Sequence, residues 1–320
     1  MSLLWAGEPY LDISVLLLAV ALDMALPEPP ATLHPVVWMG KLIRMLEWVS
    51  PSSGRVRSVL AGACIALVVP AVFGGAAWWL ALGLRELGMA VYVIGGAIIL
   101  WTTFAVTGLS RAARKMADDL HDDDLEQARL DLRSLVSRDT RTLTPPLMAA
   151  AAVESVAENS TDSYVGPWLA FALLGLPGAL AYRAVNTLDS MLGYHGKYEY
   201  LGKASARLDD VVNLVAARLT ALLMIVGGAL LGLPVRRGWA TIRRDHGRTE
   251  SPNAGWTMSA MSGLLGVVLE KPGHYRLGEG FREAQADDIH RAVRVGYVTA
   301  ALALIVAMSL LLARYALSTW

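Results

Sequence analysis

Cysteine and charge are what this chain of 320 residues has least of. Its one thiol, Cys64, lies inside an apolar run. No disulfide can form within the chain, and a lone thiol in such a setting reads as packing. Charged residues make up 18%, below the roughly 25% of an average soluble protein. The charges sum to zero, which removes any general attraction to nucleic acid. The soluble nucleotide-loop patterns, G-x-x-x-x-G-K-[ST] and G-x-G-x-x-G, are missing. There is no internal repeat. The basic stretch that opens a signal peptide is absent too: Glu8 and Asp12 come before any Lys or Arg.

What remains is apolar. Hydrophobic residues are 55% of the chain and the mean hydropathy is +0.45. The expectation is an all-α, polytopic membrane protein. About five transmembrane helices are expected, with broken or re-entrant helices around a polar cavity and cytoplasmic helical loops.

Residues 11–26 form a first apolar helix, long enough to span only if its ends are stretched. Prolines in 27–43 break it and set an extended turn. Residues 58–83 and 89–109 are strong spans joined by a short turn at 84–88. The Lys- and Arg-bearing segments 41–57 and 110–142 flank them, so the positive-inside rule puts those segments in the cytoplasm. Segment 110–142 reads as soluble helix, with Leu120, Leu125, Leu130, Leu132 and Leu135 as a packing stripe. The acids at 118–124, with His121, read as a solvated helix–turn–helix surface. Thr144, Pro145 and Pro146 start a new helix, Thr144 as N-cap. Residues 164–182 are apolar but interrupted by Gly175, Pro177 and Gly178. Further spans follow at 211–233 and 293–313. The chain reads as one membrane-embedded domain over 1–320. Within it, 110–142 is a cytoplasmic helical segment and 235–292 a cytoplasmic-side loop region.

Three polar constellations break the apolar background, and polar groups on membrane helices are expensive enough to mark a site. The first is VESVAENSTDS (153–163). Glu154, Glu158 and Asp162 stand four residues apart, stacked along one helix side. Like charges at this spacing repel, so a cation is expected among them: a divalent metal, an Arg, or both. The other reading is a solvated helix face. These are hard oxygen ligands suited to Mg²⁺, and Asn159 could add a carbonyl oxygen. The second is AYRAVNTLDSMLGY (181–194), with Arg183, Asn186 and Asp189. The third is ARLDDVVNLVAARLTAL (206–222), with Arg207, Asp209, Asp210, Asn213 and Arg218. Arginine forks suit phosphate or carboxylate, and Asn186, Asn213 and Asn253 can orient a substrate. Arg183 with Asp189, and Arg207 with Asp210, could equally be ion pairs that satisfy each other. Asn213 could be a helix–helix hydrogen bond. His34, before Pro35, reads as a turn cap rather than a metal ligand. Together the acids, arginines and the Pro/Asn/Gly loop at 251–256 suggest Mg²⁺-assisted phosphate chemistry.

In order, LHPVVWMGKLI (33–43), VESVAENSTDS (153–163), GALAYRAVNTLDSMLGY (178–194), ARLDDVVNLVAARLTAL (206–222) and SPNAGW (251–256) closely resemble the adenosylcobinamide-phosphate synthase family of cobalamin biosynthesis, often called CbiB or CobD. The resemblance runs over nearly the whole chain. It implies a multi-pass enzyme of the bacterial inner membrane with its active site facing the cytoplasm. The reaction implied joins adenosylcobyric acid to (R)-1-aminopropan-2-ol O-phosphate, or a related aminoalcohol phosphate, with ATP as co-substrate and Mg²⁺. Other nucleotide-loop assembly enzymes would be its partners, besides membrane lipid. On this reading Glu154, Glu158 and Asp162 bind Mg²⁺ and phosphate, with Glu154 and Glu158 counted among the catalytic groups. Arg183 and Arg207 bind phosphate, and Asp189 or Asp210 is the base. Asn186, Asn213, Arg218, Asn253 and His34 contact substrate. Two departures stand out. Pro27-Glu28-Pro29-Pro30 replaces the family's Gly-Asp-Pro-Pro, and Thr257-Met258 replaces Pro-Glu after SPNAGW. Two other classes fit the same acids: a Mg²⁺-dependent transferase acting on a lipid or prenyl diphosphate, and a corrinoid transporter.

Overall fold

A computed structural model describes residues 9–51, 54–194, 196 and 198–318; Glu8 lies outside them. The chain is almost entirely helical. Twelve α-helices, one π-helical turn and one short hairpin are present among the described residues. Five stretches are long and apolar enough to cross a membrane: Arg55–Glu86, Met89–His121, Pro145–Leu192, Lys203–Leu230 and Ala286–Leu317. This is an all-α, multi-pass membrane protein. The chain folds into two compact units, built from 1–105, 166–212 and 305–320, and from 106–165 and 213–304.

The first unit holds α1 (Pro9–Ala25), α2 (Pro35–Trp48), α3 (Arg55–Glu86), α4 (Met89–Trp101) and α8 (Gly166–Leu192). α1 has 17 residues, about 25 Å at 1.5 Å each, and is short of the ~30 Å hydrocarbon core. The prolines at 27–30 do end it. The chain then turns directly into α2, which the sequence reading treated as extended. Pro35 fits the first helical position, where no N–H is needed. His34 caps it, its Nδ1 accepting from the Val36 N–H at 3.3 Å. α3 packs along α8, and α1 against α4. Gly62 on α3 must be glycine: a Cβ there would lie 2.0 Å from the Leu201 carbonyl oxygen. Cys64, two residues on, is exposed rather than packed, because this flank of α3 faces outward.

α8 is broken as its sequence predicts. Gly175 takes φ 69° and ψ −160°, a conformation essentially confined to glycine, and Pro177 cannot donate a helical hydrogen bond. The stretch before the break rises about 15 Å, half a bilayer. Beyond the break, Ala184, Val185, Thr187 and Leu188 are buried. Arg183, Asn186 and Asp189 stay half-buried on the opposite side.

The second unit is organised around α7 (Pro145–Ser160). Every residue from Met148 to Ala157 is buried, as befits a helix that is apolar all round. α7 packs against α5 (Val106–His121), α6 (Leu125–Leu132), α11 (Ala254–Leu265) and strand β1 (Leu269–Lys271). Of the leucine stripe, Leu132 is buried and Leu120, Leu125 and Leu135 pack against this core, whereas Leu130 is exposed. Leu130 and Leu132 lie about 200° apart on a helix, so they cannot share a face. α7 runs on into a π-helical turn, Thr161–Val165.

Residues 235–292, read from the sequence as a loop region, carry regular structure of their own. They fold into α10 (Val235–Asp245), a 3₁₀ turn, α11 and a hairpin of β1 with β2 (Tyr275–Leu277). The hairpin pairs Leu269 with Leu277 and Lys271 with Tyr275. Most of α9 (Lys203–Leu230) and of α12 (Ala286–Ser318) also belongs to this unit.

Candidate functional site

In the first unit, three separate sequence stretches meet. His34, at the head of α2, feels the charges of Glu28 and Arg183. α2 lies against α8, where Thr187 Oγ1 contacts Met39 Sδ at 3.9 Å. Arg183 Nη1 donates to Asn186 Oδ1 at 3.1 Å. One turn further, Asp189 comes within electrostatic reach of Asp210 on α9. Arg207 pairs with Asp210 at 3.4 Å, one turn apart on α9. Burial lowers the His34 pKa from its ordinary value, Arg183 adds to that, and Glu28 opposes it. The arginine, the amide and the two acids therefore share one side of α8 and the start of α9. The pairing of Arg183 with Asp189 read from spacing is not the observed contact; the fork reaches Asn186 instead.

In the second unit, the carboxylate stripe is graded in depth. Glu154 is 4% exposed, Asp162 is half-buried and Glu158 is exposed. The cation expected among them includes an arginine. Arg138 Nη2 donates to Glu154 Oε2 at 2.5 Å, with only 15% of the Arg138 side chain exposed. Tyr275 is brought alongside by the hairpin. Its hydroxyl pKa is pushed up by burial and then by the Glu154 and Glu158 carboxylates. Asp162 sits on the π turn, which interrupts the i, i+4 stacking read from the sequence. Among the described residues no three His, Cys, Asp or Glu side chains gather as a metal-ligand group. An ion held by one or two carboxylates and completed by substrate phosphates, the usual way of Mg²⁺, needs no such group. An all-protein cage would. Glu158, the exposed acid, is the member best placed for such a role.

Elsewhere in this unit, Arg218 on α9 donates through Nη1 to Asn253 Oδ1 at 3.1 Å. Its guanidinium lies 4.9 Å from the Trp256 ring centroid, and the His246 ring packs against the same indole at 4.5 Å, tilted by 48°. Asn253 precedes α11, where Ser251 Oγ accepts from the Asn253 and Ala254 N–H groups. Asn213 is buried on α9. The predicted residues thus form a set in each unit. His34, Arg183, Asn186, Asp189, Arg207 and Asp210 lie in the first. Glu154, Glu158, Asp162, Asn213, Arg218 and Asn253 lie in the second.

Residues 16–305 match the sequence profile described as CobD/Cbib protein. The chain belongs to the CobD/CbiB family. It is 45% identical over 268 residues to the cobalamin biosynthesis protein CobD of Dehalococcoides mccartyi, covering 84% of this chain and 87% of that one. It is 40% identical over 290 residues to a probable cobalamin biosynthesis protein CobD of Methanothermobacter thermautotrophicus, covering 90% and 94%. It is 37% identical over 307 residues to the cobalamin biosynthesis protein CbiB of Salmonella choleraesuis, covering 90% and 93%. No solved structure matches. Membership of the CobD/CbiB family places the chain among the enzymes of cobalamin biosynthesis.

Sequence reasoning missed Arg138 and Tyr275. Arg138 lies in a segment dense with charge, where nothing sets it apart, and Tyr275 reaches the acids only through a hairpin that reads as loop. It also missed Asp12, Arg85, Tyr92 and Arg314, which join in the first unit. An acid near the start of one apolar helix and an arginine near the end of another were the available signal.

Proposed function

We propose that this chain forms the amide bond between the propionate carboxylate of adenosylcobyric acid and the amine of (R)-1-aminopropan-2-ol O-phosphate, or a close relative, at the expense of ATP. The observation that carries this reading is the Arg183–Asn186 hydrogen bond on the side of α8 that also bears Asp189, with Asp210, paired to Arg207, within electrostatic reach of Asp189. That arrangement supplies what such a reaction needs: an anion fork and a carboxylate base side by side. A carboxylate does not condense with an amine in water. Transfer of the γ-phosphoryl group of ATP to it gives an acyl phosphate and ADP. The amine, having lost a proton, then attacks the acyl carbon and inorganic phosphate leaves.

Arg183, oriented by Asn186, holds a phosphoryl group, and Arg207 offers a second, exposed fork. One acid of the Asp189–Asp210 pair takes the ammonium proton. In the second unit, Glu158 and Asp162 would hold Mg²⁺, which would supply charge neutralisation to phosphate oxygens. Arg138 holds Glu154 in place beside them. The Lys- and Arg-bearing segments 41–57 and 110–142 favour a site on the cytoplasmic side of the bacterial inner membrane.

The test is ATP consumption by the purified full-length protein in detergent. ADP should form only when cobyric acid and the aminoalcohol phosphate are both present. ADP release without either substrate, or none with both, would sink the reading. Glu158→Gln in a folded protein should lower turnover by orders of magnitude; normal turnover would remove Glu158 from the metal site.

A further inference from the structure

The two sides of α2 differ sharply. Met39, Gly40 and Ile43 are buried. Met39 and Gly40 lie on α8: Thr187 reaches Met39, and a Cβ on Gly40 would stand 3.5 Å from Met191 Sδ. Glu47, the helix's one acid, accepts a hydrogen bond from the Tyr198 hydroxyl at 2.9 Å. The opposite side is open. Trp38, Met45 and Trp48 are 44%, 57% and 86% exposed, and Lys41 and Arg44 stand exposed among them. At 3.6 residues per turn these five fall within about 120° of the helix circumference. The Trp38 indole N–H donates to the Thr32 carbonyl at 3.0 Å, which fixes that ring on the open side. Two tryptophans and a methionine on one open face form an apolar patch that calls for a partner.

The position of α2 names the partner. Its 14 residues rise about 21 Å, short of the ~30 Å hydrocarbon core, and they carry Lys41, Arg44 and Glu47, so α2 is not a span. Residues 49–54 alone separate it from α3, and it packs against that helix. α3 opens with Arg55 and Arg57 before its apolar run begins. The short connection and the packing keep α2 at the height where α3 enters the bilayer. Tryptophan favours that height, its ring apolar and its N–H polar. Lysine and arginine suit it as well, since their stems lie along acyl chains while their charged ends reach lipid phosphates.

We propose that α2 is an interfacial helix, bound along its open face to the surface of the bilayer. Trp38, Met45 and Trp48 sink into the boundary between headgroups and acyl chains in the leaflet at which α3 begins, and Lys41 and Arg44 meet the phosphates. Lipid thus braces the outer side of a helix whose inner side is seated on α8. The inference does not depend on the reaction proposed above.

Lipids that carry a nitroxide quencher test it, with the full-length protein in vesicles of phosphatidylethanolamine and phosphatidylglycerol. Cys64→Ser removes the native thiol, and Trp48→Cys or Met45→Cys then takes a fluorescent label. Leu67→Cys, at a position 69% exposed within the apolar run of α3, is the comparison inside the bilayer. Labels at 45 and 48 should be quenched about threefold more by a nitroxide at the headgroup or the start of the acyl chain than by one near the chain end. The label at 67 should show the reverse order. Two results overturn the proposal. In the first, no lipid quenches 45 or 48 while 67 is quenched; disulfide pairing of Trp48→Cys chains would then give the face to a second copy, and protection of the label by cobyric acid would give it to the corrinoid. In the second, the chain-end nitroxide quenches 45 and 48 most, which would place α2 deep in the bilayer.

Discussion

Arg138 and Glu154, 16 residues apart in sequence, form a buried ion pair with Nη2 and Oε2 2.5 Å apart. The pair joins the segment after α6 to the central helix of the second unit, and Ser155 repeats the link by donating to the Leu135 carbonyl at 2.7 Å. Removing one partner leaves a charge with no compensation in a dry place. Arg138→Met is expected to cost about 3–5 kcal/mol of stability. Adding Glu154→Gln should recover part of it. Unfolding of the three variants in detergent, compared as a double-mutant cycle, checks this; an unchanged Arg138→Met midpoint would show that the pair is not coupled to folding.

Asp189 and Asp210 are expected to divide between base and bystander. Each is replaced by Asn and turnover is followed against pH with all substrates saturating. The base variant should lose about 10²–10⁴-fold in kcat and its acidic limb, while the other variant keeps the limb. If both keep wild-type kcat, the pair takes no part in proton transfer.

Gly175 carries the break in α8 on a backbone conformation that only glycine adopts cheaply. Gly175→Ala should destabilise by about 1–3 kcal/mol, read as a lower Tm in detergent. The stabilising outcome expected of the same change in a regular helix would mean that the helix is continuous there.

His34 links stability to pH. Its folded pKa is lowered from 6.5 by burial and by Arg183. Below pH 6.5 the unfolded chain therefore binds the proton more readily than the folded one. The contribution is fully present above pH 6.5 and is lost as pH falls through the lower folded value. The helix cap points the same way: protonated Nδ1 cannot accept from Val36 N–H. Stability measured from pH 7.5 to 5 should fall more steeply in wild type than in His34→Gln. Parallel curves would assign the pH response to other groups.

Much of this architecture is legible in the residues, for reasons that differ by element. Apolar runs over α3, residues 89–109 and α12 are long enough to read as membrane spans, and Gly175 with Pro177 cannot sit in an unbroken helix. The helix over 35–48 was hidden because the prolines before it dominate the local pattern, although His34-Pro35 is itself a helix start. Residues 269–277 pair as strands only because α7 offers them a surface, and no periodicity over three residues reveals that. Within the candidate site, i, i+3, i+6 spacing placed Arg183, Asn186 and Asp189 on one side of α8. It did not show that Asp189 would come within electrostatic reach of Asp210, a proximity set by the chain's path between α8 and α9. For the stripe at 154, 158 and 162, spacing alone left a metal, an arginine or both open; Arg138, 16 residues before Glu154, supplies an arginine there.

The nearness of His34 to Arg183 has one more consequence. The guanidinium charge is part of what drives the proton off the imidazole. Any anion that neutralises Arg183 therefore raises the ring's affinity for a proton, and by reciprocity a protonated ring strengthens the anion's hold. Phosphate capture near neutral pH would draw protons from solution, and its release would return them. Calorimetry in buffers of different ionisation enthalpy would register that exchange as a buffer-dependent heat, absent in His34→Gln.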